Sequence, residues 1–540
     1  MMLRRLYTSL IIGLLLSSTA FAQTSAAQNS AEEKLALEQD QDAMHYAQGI
    51  EVKTLKQHLD LLAGPEYAGR GNGQEGQKKA GRYLADYFRQ LKLPAIVGDS
   101  SYLQTVPLVT TEQIEATITV NGKIYEFMQD LYCFSRGSGF TEYLNNKALF
   151  LGYGIDDPKY SDYADKDANG QVLLILAGEP TREDGTSWLT GSKEPSVWTT
   201  DWRKKIDLAR SKGAKALLVI TPQLAKKAQE MKSYINNPEV MQLEADAIGR
   251  NPKEKMMNVF YVSNAIADRL LRKKTAEYCQ QRINQSGKPY MRRIKTPYSL
   301  EIQKKINSLS VENVLGYIEG SDPVLKNEVL IITAHYDHLG IEHGNTYYGA
   351  DDDGSGTVAL LEIAQAFTQA KADGKGPKRS ILIMPVAGEE KGLLGSRYYT
   401  DIQPILPLKN TIANLNIDMI GRVDDEHTDG NYVYVIGSDK LSKELHNINE
   451  TANQRYTRLN LDYRFNAEND PNRFYYRSDH YNFAKNRIPV IFYFNGVHAD
   501  YHQPSDTVEK IDYEALKKRT QLVFYTAWDL ANRPQRIKVD

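Results

Sequence analysis

The chain has 540 residues, of which 25% are charged and 41% are hydrophobic. That balance is typical of a globular protein, and the length is sufficient for two or three domains. The formal net charge is −2 at pH 7. This charge gives no electrostatic basis for binding nucleic acid or an anionic membrane surface, so we expect neither partner.

The first 22 residues have the pattern of a secretory signal peptide. Residues 1–5 are basic, residues 6–16 are mostly apolar, and Ala20-Phe21-Ala22 forms a cleavage site of the A-x-A kind. An uncleaved membrane anchor is the alternative, but the apolar run is short for a full span. We therefore predict cleavage after Ala22 and a secreted or periplasmic protein, with no membrane span in the mature chain.

The chain contains two cysteines, Cys133 and Cys279. Export would permit a disulfide bond between them. Two buried thiols are the alternative, since a chain of this length does not need a disulfide framework.

The N-terminal part predicts two helices around a glycine-rich loop. Apolar residues at helical spacing predict an amphipathic helix over 53–62 and another over 78–91. Between them, Gly71, Gly73 and Gly76 form a G-x-G-x-x-G pattern. A dinucleotide-binding loop needs a strand before this pattern. A helix precedes it here, so we interpret it as a turn that positions the second helix.

The pattern changes between about 110 and 300. A helix is predicted over 201–212, and strand-like runs occur at 147–153, 171–177, 215–221 and 256–262. No cluster of histidine or acidic residues follows these runs. We therefore expect 110–300 to be an independent β-rich α/β module inserted into a domain formed by 23–109 and 301–540. Such an arrangement is feasible because a long insertion costs little loop entropy.

From about 308 onward, strand-like and helical segments alternate regularly. A helix is predicted over 357–370, and strands are predicted over 329–334, 380–387, 411–417 and 488–494. Nearly continuous apolar strands separated by helices predict an α/β fold, with a mostly parallel central sheet flanked by helices.

Histidine and acidic residues gather at or just past the ends of these predicted strands. They lie in AHYDHLG (334–340) with GADDDGSGT (349–357), AGEEKG (387–392), NIDMIG (416–421) and DYHQPSD (500–506). In open α/β sheets, ligands bind beyond the carboxyl ends of the strands. The side chains that we expect to meet there are His335, Asp352, Glu390, Asp418 and His502. Such a mixed shell suits a pair of zinc ions.

Three consecutive aspartates, Asp351 to Asp353, repel one another unless a cation or another partner offsets their charge. One carboxylate can bridge two metal ions, and the pattern favours Asp352. An N-cap for the helix at Thr357 is an alternative role for Asp353. A calcium loop is disfavoured because the spacing does not match D-x-D-x-D-G-x₅-E.

Glu389 and Glu390 are adjacent, and adjacent residues in an extended chain point in opposite directions. We therefore assign Glu390 to a metal and Glu389 to proton transfer as general base. Two solvated loop glutamates are the alternative. Asp418 interrupts an apolar stretch, where an unpaired carboxylate is costly, so it pairs with a metal or with an arginine.

Three further residues are predicted to support this cluster. Asp337, two residues after His335, can accept the second N–H of that imidazole. Asp506 can orient His502, and Tyr501 can donate a hydrogen bond to a developing oxyanion.

Together these motifs resemble the M28 family of co-catalytic zinc peptidases, the aminopeptidase-like group. The resemblance is carried by AHYDHLG, GADDDGSGT, AGEEKGLLGS, NIDMIGR and YHQPSDT, and it covers roughly 53–105 and 308–530. It implies a zinc exopeptidase-like, phosphorylase/hydrolase-like fold. The middle region, with LFLGYGIDD, resembles a protease-associated (PA) domain.

The resemblance implies two Zn²⁺ ions, with Glu389 as the base that activates a shared water. One ion would be held by His335, Asp352 and Asp418, and the other by Asp352, Glu390 and His502. The implied reaction removes N-terminal residues from a peptide or protein substrate.

Two other functions remain open. One is a carboxypeptidase or dipeptidase on the same scaffold. A carboxypeptidase would need a cation for the substrate carboxylate, and the candidates are Arg397, Arg422, Arg473 and Arg477. A non-catalytic protein whose inserted module binds peptides is the third hypothesis. The sequence leaves the oligomeric state open.

Overall fold

The computed structural model describes residues 39–134, 140–144, 147–164, 166–235, 241–247 and 257–540. The predicted signal peptide lies outside these residues. The described chain divides into two units by its internal contacts. The first unit contains 39–106 and Ser310–Asp540, and the second contains Pro107–Leu309.

The first unit is built on a seven-stranded sheet. In chain order, its strands are β1 Gly316–Ile318, β2 Val329–His335, β3 Ser380–Val386, β4 Thr411–Ile417, β5 Tyr432–Ile436, β6 Asn460–Asp462 and β7 Val490–Phe494. Their order across the sheet is β1-β3-β2-β4-β7-β5-β6. The four central strands, β3, β2, β4 and β7, are parallel, whereas β1 and β5 are antiparallel to β3 and β7. The predicted mostly parallel sheet is confirmed.

Helices pack against this sheet and against one another, as predicted. Helix Gly356–Ala372 contacts β2 and β3, and helix His480–Ala484 contacts β4 and β7. The remaining α-helices of this unit are Gln41–Gln48, Val52–Leu62, Glu75–Gln90, Leu394–Arg397, Lys443–Ala452 and Tyr513–Asn532.

The central strands are apolar because the sheet is covered. Every residue of β2, β3 and β4 is buried. On β2, Val329 and Ile331 pack into a core cluster with Phe483. Alternate residues of a strand point to opposite faces, so the intervening residues fill the other side.

The direction of the parallel strands places their carboxyl ends along one edge of the sheet. His335 is the last residue of β2, and Asp418 directly follows β4. Glu389 follows β3 after a short interval. This edge of the sheet therefore carries three of the predicted site residues.

The second unit contains a six-stranded mixed sheet. Across the sheet its strands are Met291–Ile294, Ala148–Leu151, Val172–Leu176, Ala216–Ile220, Asn258–Val262 and Leu131–Phe134. The four middle strands are parallel. The four predicted strands of this region are present with shorter bounds.

Other elements complete this part of the chain. A five-stranded sheet contains Leu103–Val120, Lys123–Tyr125, Phe140–Leu144, Met241–Leu243 and Tyr298–Val314. The α-helices are Val197–Thr200, Trp202–Ser211, Leu224–Glu230, Lys232–Ile235, Glu244–Ala247, Asn264–Leu271 and Ala276–Ser286. Cys133 and Cys279 are buried thiols with no disulfide bond between them.

Among the described helices, none combines the length and the hydropathy that crossing a lipid bilayer requires.

Glu362 on helix Gly356–Ala372 gives the first unit a pH-dependent stability. Its carboxyl group is buried and accepts a 2.8 Å hydrogen bond from the Thr54 hydroxyl. Burial raises the pKa of Glu362 from 4.5 to about 7. Between pH 4.5 and about pH 7, Glu362 is protonated in the folded protein and ionised in the unfolded chain, so folding takes up a proton. The resulting stabilisation is complete below the unfolded pKa and is lost as the pH rises through about 7.

In the unaltered protein, lowering the pH from about 8 to about 5 should increase the free energy of unfolding. We expect Glu362→Gln to make this increase smaller by about 1–3 kcal/mol. Denaturant unfolding at several pH values measures this difference. Glu66→Gln is the control, since its exposed side chain should leave the pH dependence unchanged. An unaltered pH dependence in Glu362→Gln would contradict the expectation.

Candidate metal centre

Two groups of histidine and carboxylate side chains meet at the carboxyl edge of the central sheet. One group is His335, Asp352 and Asp418, and the other is His338, Asp352 and Glu390. Within each group, the potential ligand atoms all lie within 4.8 Å of one another. Asp352 belongs to both groups, which is the arrangement that two metal ions bridged by one carboxylate require.

The distances between these atoms suit metal coordination. His335 Nε2 lies 3.2 Å from Asp352 Oδ1 and 3.4 Å from Asp418 Oδ1. His502 Nε2 lies 3.1 Å from Asp352 Oδ2 and 3.3 Å from Glu390 Oε2. Ligands about 2.0–2.2 Å from a tetrahedral zinc ion lie roughly 3.3–3.6 Å apart. The five side chains predicted to meet are therefore close together.

Several buried atoms here have no hydrogen-bond partner among the residues that the structure describes. They are Asp352 Oδ2, Glu390 Oε1 and both ring nitrogens of His338. Leaving buried polar atoms unsatisfied is costly, and a cation would satisfy carboxylate oxygens and imidazole nitrogens together. Because zinc takes this mixture of ligands, the residues fit a metal ion at each position.

The three consecutive aspartates have different partners. Asp351 accepts hydrogen bonds from Gly421 N at 2.7 Å and from the Ser355 hydroxyl at 2.9 Å. Asp353 accepts them from Met419 N at 3.0 Å and from Gly356 N at 2.9 Å, at the start of the next helix. Asp352 directs its carboxylate at the histidines instead, as the sequence pattern favours.

Glu389 borders the same cavity as these side chains. Its Oε2 atom lies 4.0 Å from His335 Nε2. Burial raises the pKa of Glu389, and although His335 opposes this, the negative charges of Asp418 and Glu390 raise it further. A carboxyl group of raised pKa beside the two groups can accept a proton and release it again.

Tyr501 is positioned as a hydrogen-bond donor. Its ring stacks on His502 with a 3.9 Å separation of ring centroids. Burial raises the pKa of Tyr501 well above its usual range, and the charge of Asp352 adds to this. The hydroxyl therefore keeps its proton.

The rest of the cavity wall is mostly apolar. It is lined by Met419, Phe474, Phe492, Phe494 and Val497, together with Arg477. The Arg477 guanidinium lies 3.5 Å from the Tyr501 hydroxyl. Of the four arginines that the sequence suggests for a carboxylate clamp, Arg477 is the one that lines this cavity.

Asp337 differs from its predicted role. His335 Nδ1 lies 3.0 Å from the backbone carbonyl of Asp337 and 3.8 Å from its carboxylate. The carboxylate instead accepts a 2.6 Å hydrogen bond from Asn72 and weaker ones from the amides of Glu389 and Glu390. The backbone orients the imidazole, and the side chain ties the glycine-rich loop to the two glutamates.

Asp506 also differs from its predicted role. It accepts hydrogen bonds from the amides of Asp351 at 3.0 Å and Asp352 at 3.2 Å, rather than orienting His502. Sequence reasoning also missed Ser478, whose hydroxyl donates a 2.6 Å hydrogen bond to Asp418 Oδ2. It missed His338 as well, although this residue lies inside the AHYDHLG motif.

Residues 313–527 match the model of the family described as peptidase family M28. The predicted resemblance to this family is therefore confirmed for this segment of the chain.

Individual relatives were also found. Aminopeptidase YwaD of Bacillus subtilis (strain 168) is 27% identical over 244 residues, covering 44% of this chain and 49% of that protein. Leupeptin-inactivating enzyme 1 of Streptomyces exfoliatus is 28% identical over 240 residues, covering 40% and 48%. The chain thus spans about half the length of these curated relatives. A solved structure, the aminopeptidase from Aneurinibacillus sp. strain AM-1, is 17% identical with a TM-score of 0.48, covering 92% of this chain and 98% of that one.

Proposed function

We propose that this protein is a secreted co-catalytic dizinc aminopeptidase, which hydrolyses N-terminal residues from peptides. The observation that carries the proposal is the meeting of five potential ligands at short distances, with four of them and one potential base lining a single cavity. The M28 domain and the name of the relative YwaD, an aminopeptidase, support it.

The proposed ligands divide between two metal positions that share Asp352. His335, Asp352 and Asp418 would hold one Zn²⁺, and Asp352, Glu390 and His502 would hold the other. Zinc ions in such a site polarise the scissile carbonyl and lower the pKa of water.

The side chains of the protein supply the proton transfers and the orientation of the substrate. Glu389 accepts a proton from the attacking water and passes it to the leaving amine, a role that its position beside the ligands in the cavity supports. The Tyr501 hydroxyl donates a hydrogen bond to the carbonyl oxygen as negative charge develops there. The aromatic wall around Phe474 and Phe492 receives the apolar part of the substrate.

Glu389→Gln separates catalysis from metal binding. The amide keeps the shape of the side chain but cannot act as a base, so we expect peptide hydrolysis to fall roughly 100- to 10,000-fold. The zinc content should not change, because Glu389 is not one of the proposed ligands. Digestion of a mixed peptide library, followed by mass spectrometry, should show stepwise N-terminal loss with the unaltered protein.

Glu514→Gln is the matched control, since this exposed glutamate lies on helix Tyr513–Asn532 outside the cavity. It should digest the library at the rate of the unaltered protein. Undiminished hydrolysis by Glu389→Gln would eliminate the assigned base. Cleavage confined to internal bonds would refute the aminopeptidase proposal.

A carboxypeptidase or dipeptidase is the second candidate, and the position of Arg477 favours it. Its guanidinium borders the cavity and could pair with a substrate carboxylate. Loss of residues from the C-termini of the library peptides would support this candidate over the first.

Two further proposals concern the parts of the chain around the peptidase domain. We infer that Pro107–Leu309 is a protease-associated domain, supported by the motif LFLGYGIDD at 149–157. Deletion of 107–309 should leave peptide hydrolysis by the segment 313–527 intact but alter the preference among protein substrates.

We also infer export, which the N-terminal pattern supports. Sequencing of the mature protein should give Gln23 as the first residue. A chain that retains residues 1–22 would contradict cleavage.

A further inference from the structure

His338 is fully buried, three residues after His335 in the same motif. Neither of its ring nitrogens has a hydrogen-bond partner among the described residues. Glu390 Oε1 lies 2.8 Å from His338 Nδ1, but the two atoms do not have the geometry of a hydrogen bond. A buried imidazole in this state requires another partner, because burying an unsatisfied polar group is costly.

The unsatisfied atoms around His338 face one another. Its Nδ1 atom lies 2.8 Å from Glu390 Oε1 and 3.8 Å from Asp352 Oδ2. Both of those oxygens are themselves buried without a hydrogen-bond partner in the described part of the chain. One cation between these three atoms would satisfy them all, because imidazole nitrogens and carboxylate oxygens are both ligands of zinc.

The neighbouring backbone holds the imidazole in this position. Gly349 has a φ of +59°, and a Cβ atom there would lie only 2.5 Å from His338 Cγ. Glycine is therefore required both by the backbone conformation and by the close approach of the ring. The His338 ring therefore packs directly against the backbone of Gly349.

We propose that His338 Nδ1 is a ligand of the second metal position, together with Asp352, Glu390 and His502. This inference rests on the proposed dizinc function and extends its ligand set. The second position then has four protein ligands, whereas the first has His335, Asp352 and Asp418. The second zinc ion is accordingly the more tightly held of the two.

A crystal structure of the zinc-loaded protein, with anomalous data collected at the zinc edge, tests the contact directly. The expected distance from His338 Nδ1 to the second ion is about 2.0–2.1 Å. A separation greater than about 3 Å, with Nδ1 hydrogen-bonded to Glu390, would overturn the inference. If no zinc occupied either position, the dizinc function itself would fail, and that outcome is distinct from the first.

Chelator competition on the full-length protein provides a second measurement. In His338→Gln, one of the two zinc ions should be lost at a chelator concentration roughly 10- to 100-fold lower than in the unaltered protein. His446→Gln is the control, because His446 bonds to Ser438 outside the metal centre and should not affect retention. Equal retention in all three proteins would contradict a ligand role for His338. Circular dichroism of the metal-free proteins shows whether His338→Gln is folded, and so separates the loss of a ligand from misfolding. The crystallographic test needs no variant.

Discussion

The site depends on the accumulation of buried negative charge around Asp352. The buried carboxylates of this region are Asp337, Asp351, Asp352, Asp353, Asp418, Asp479 and Asp506. Taking a carboxylate out of water costs several kcal/mol unless donors or cations compensate it. The fold can therefore bring these residues together only where backbone amides and cations both compensate their negative charge. Metal ions shared by Asp352 would add to the positive charge of Arg70 and Arg422, which lie near these carboxylates.

The backbone determines which of these carboxylates remain available. Asp351 and Asp353 are engaged by amides of the segment after β4, and Asp506 is engaged by the amides of Asp351 and Asp352. Their charge is used to fix the loop. Asp352 and Asp418 keep oxygens directed at His335. Residues of one chemical type thus divide into a fixed frame and a set of potential ligands.

The sequence was sufficient to predict the four parallel strands and the potential ligands near their ends. Apolar runs mark buried strands, and the parallel direction of the strands brings their carboxyl ends to one edge. Strands β1, β5 and β6 were not predicted, although β5 is an apolar run in which every residue is buried. The actual partners of Asp337 and Asp506 were not predictable, since they are backbone groups whose positions depend on tertiary packing. His338 was missed for a related reason: its burial and lack of partners are visible only in three dimensions.

Counting the zinc ions on the intact protein tests the central claim that Asp352 serves two metal positions. Native mass spectrometry of the zinc-loaded protein and of Asp352→Ala makes this count directly. We expect two ions per chain in the unaltered protein and weakened binding of both in the variant, because the bridging carboxylate is lost. A single ion per chain, or a variant that retains both ions at the original affinity, would contradict it.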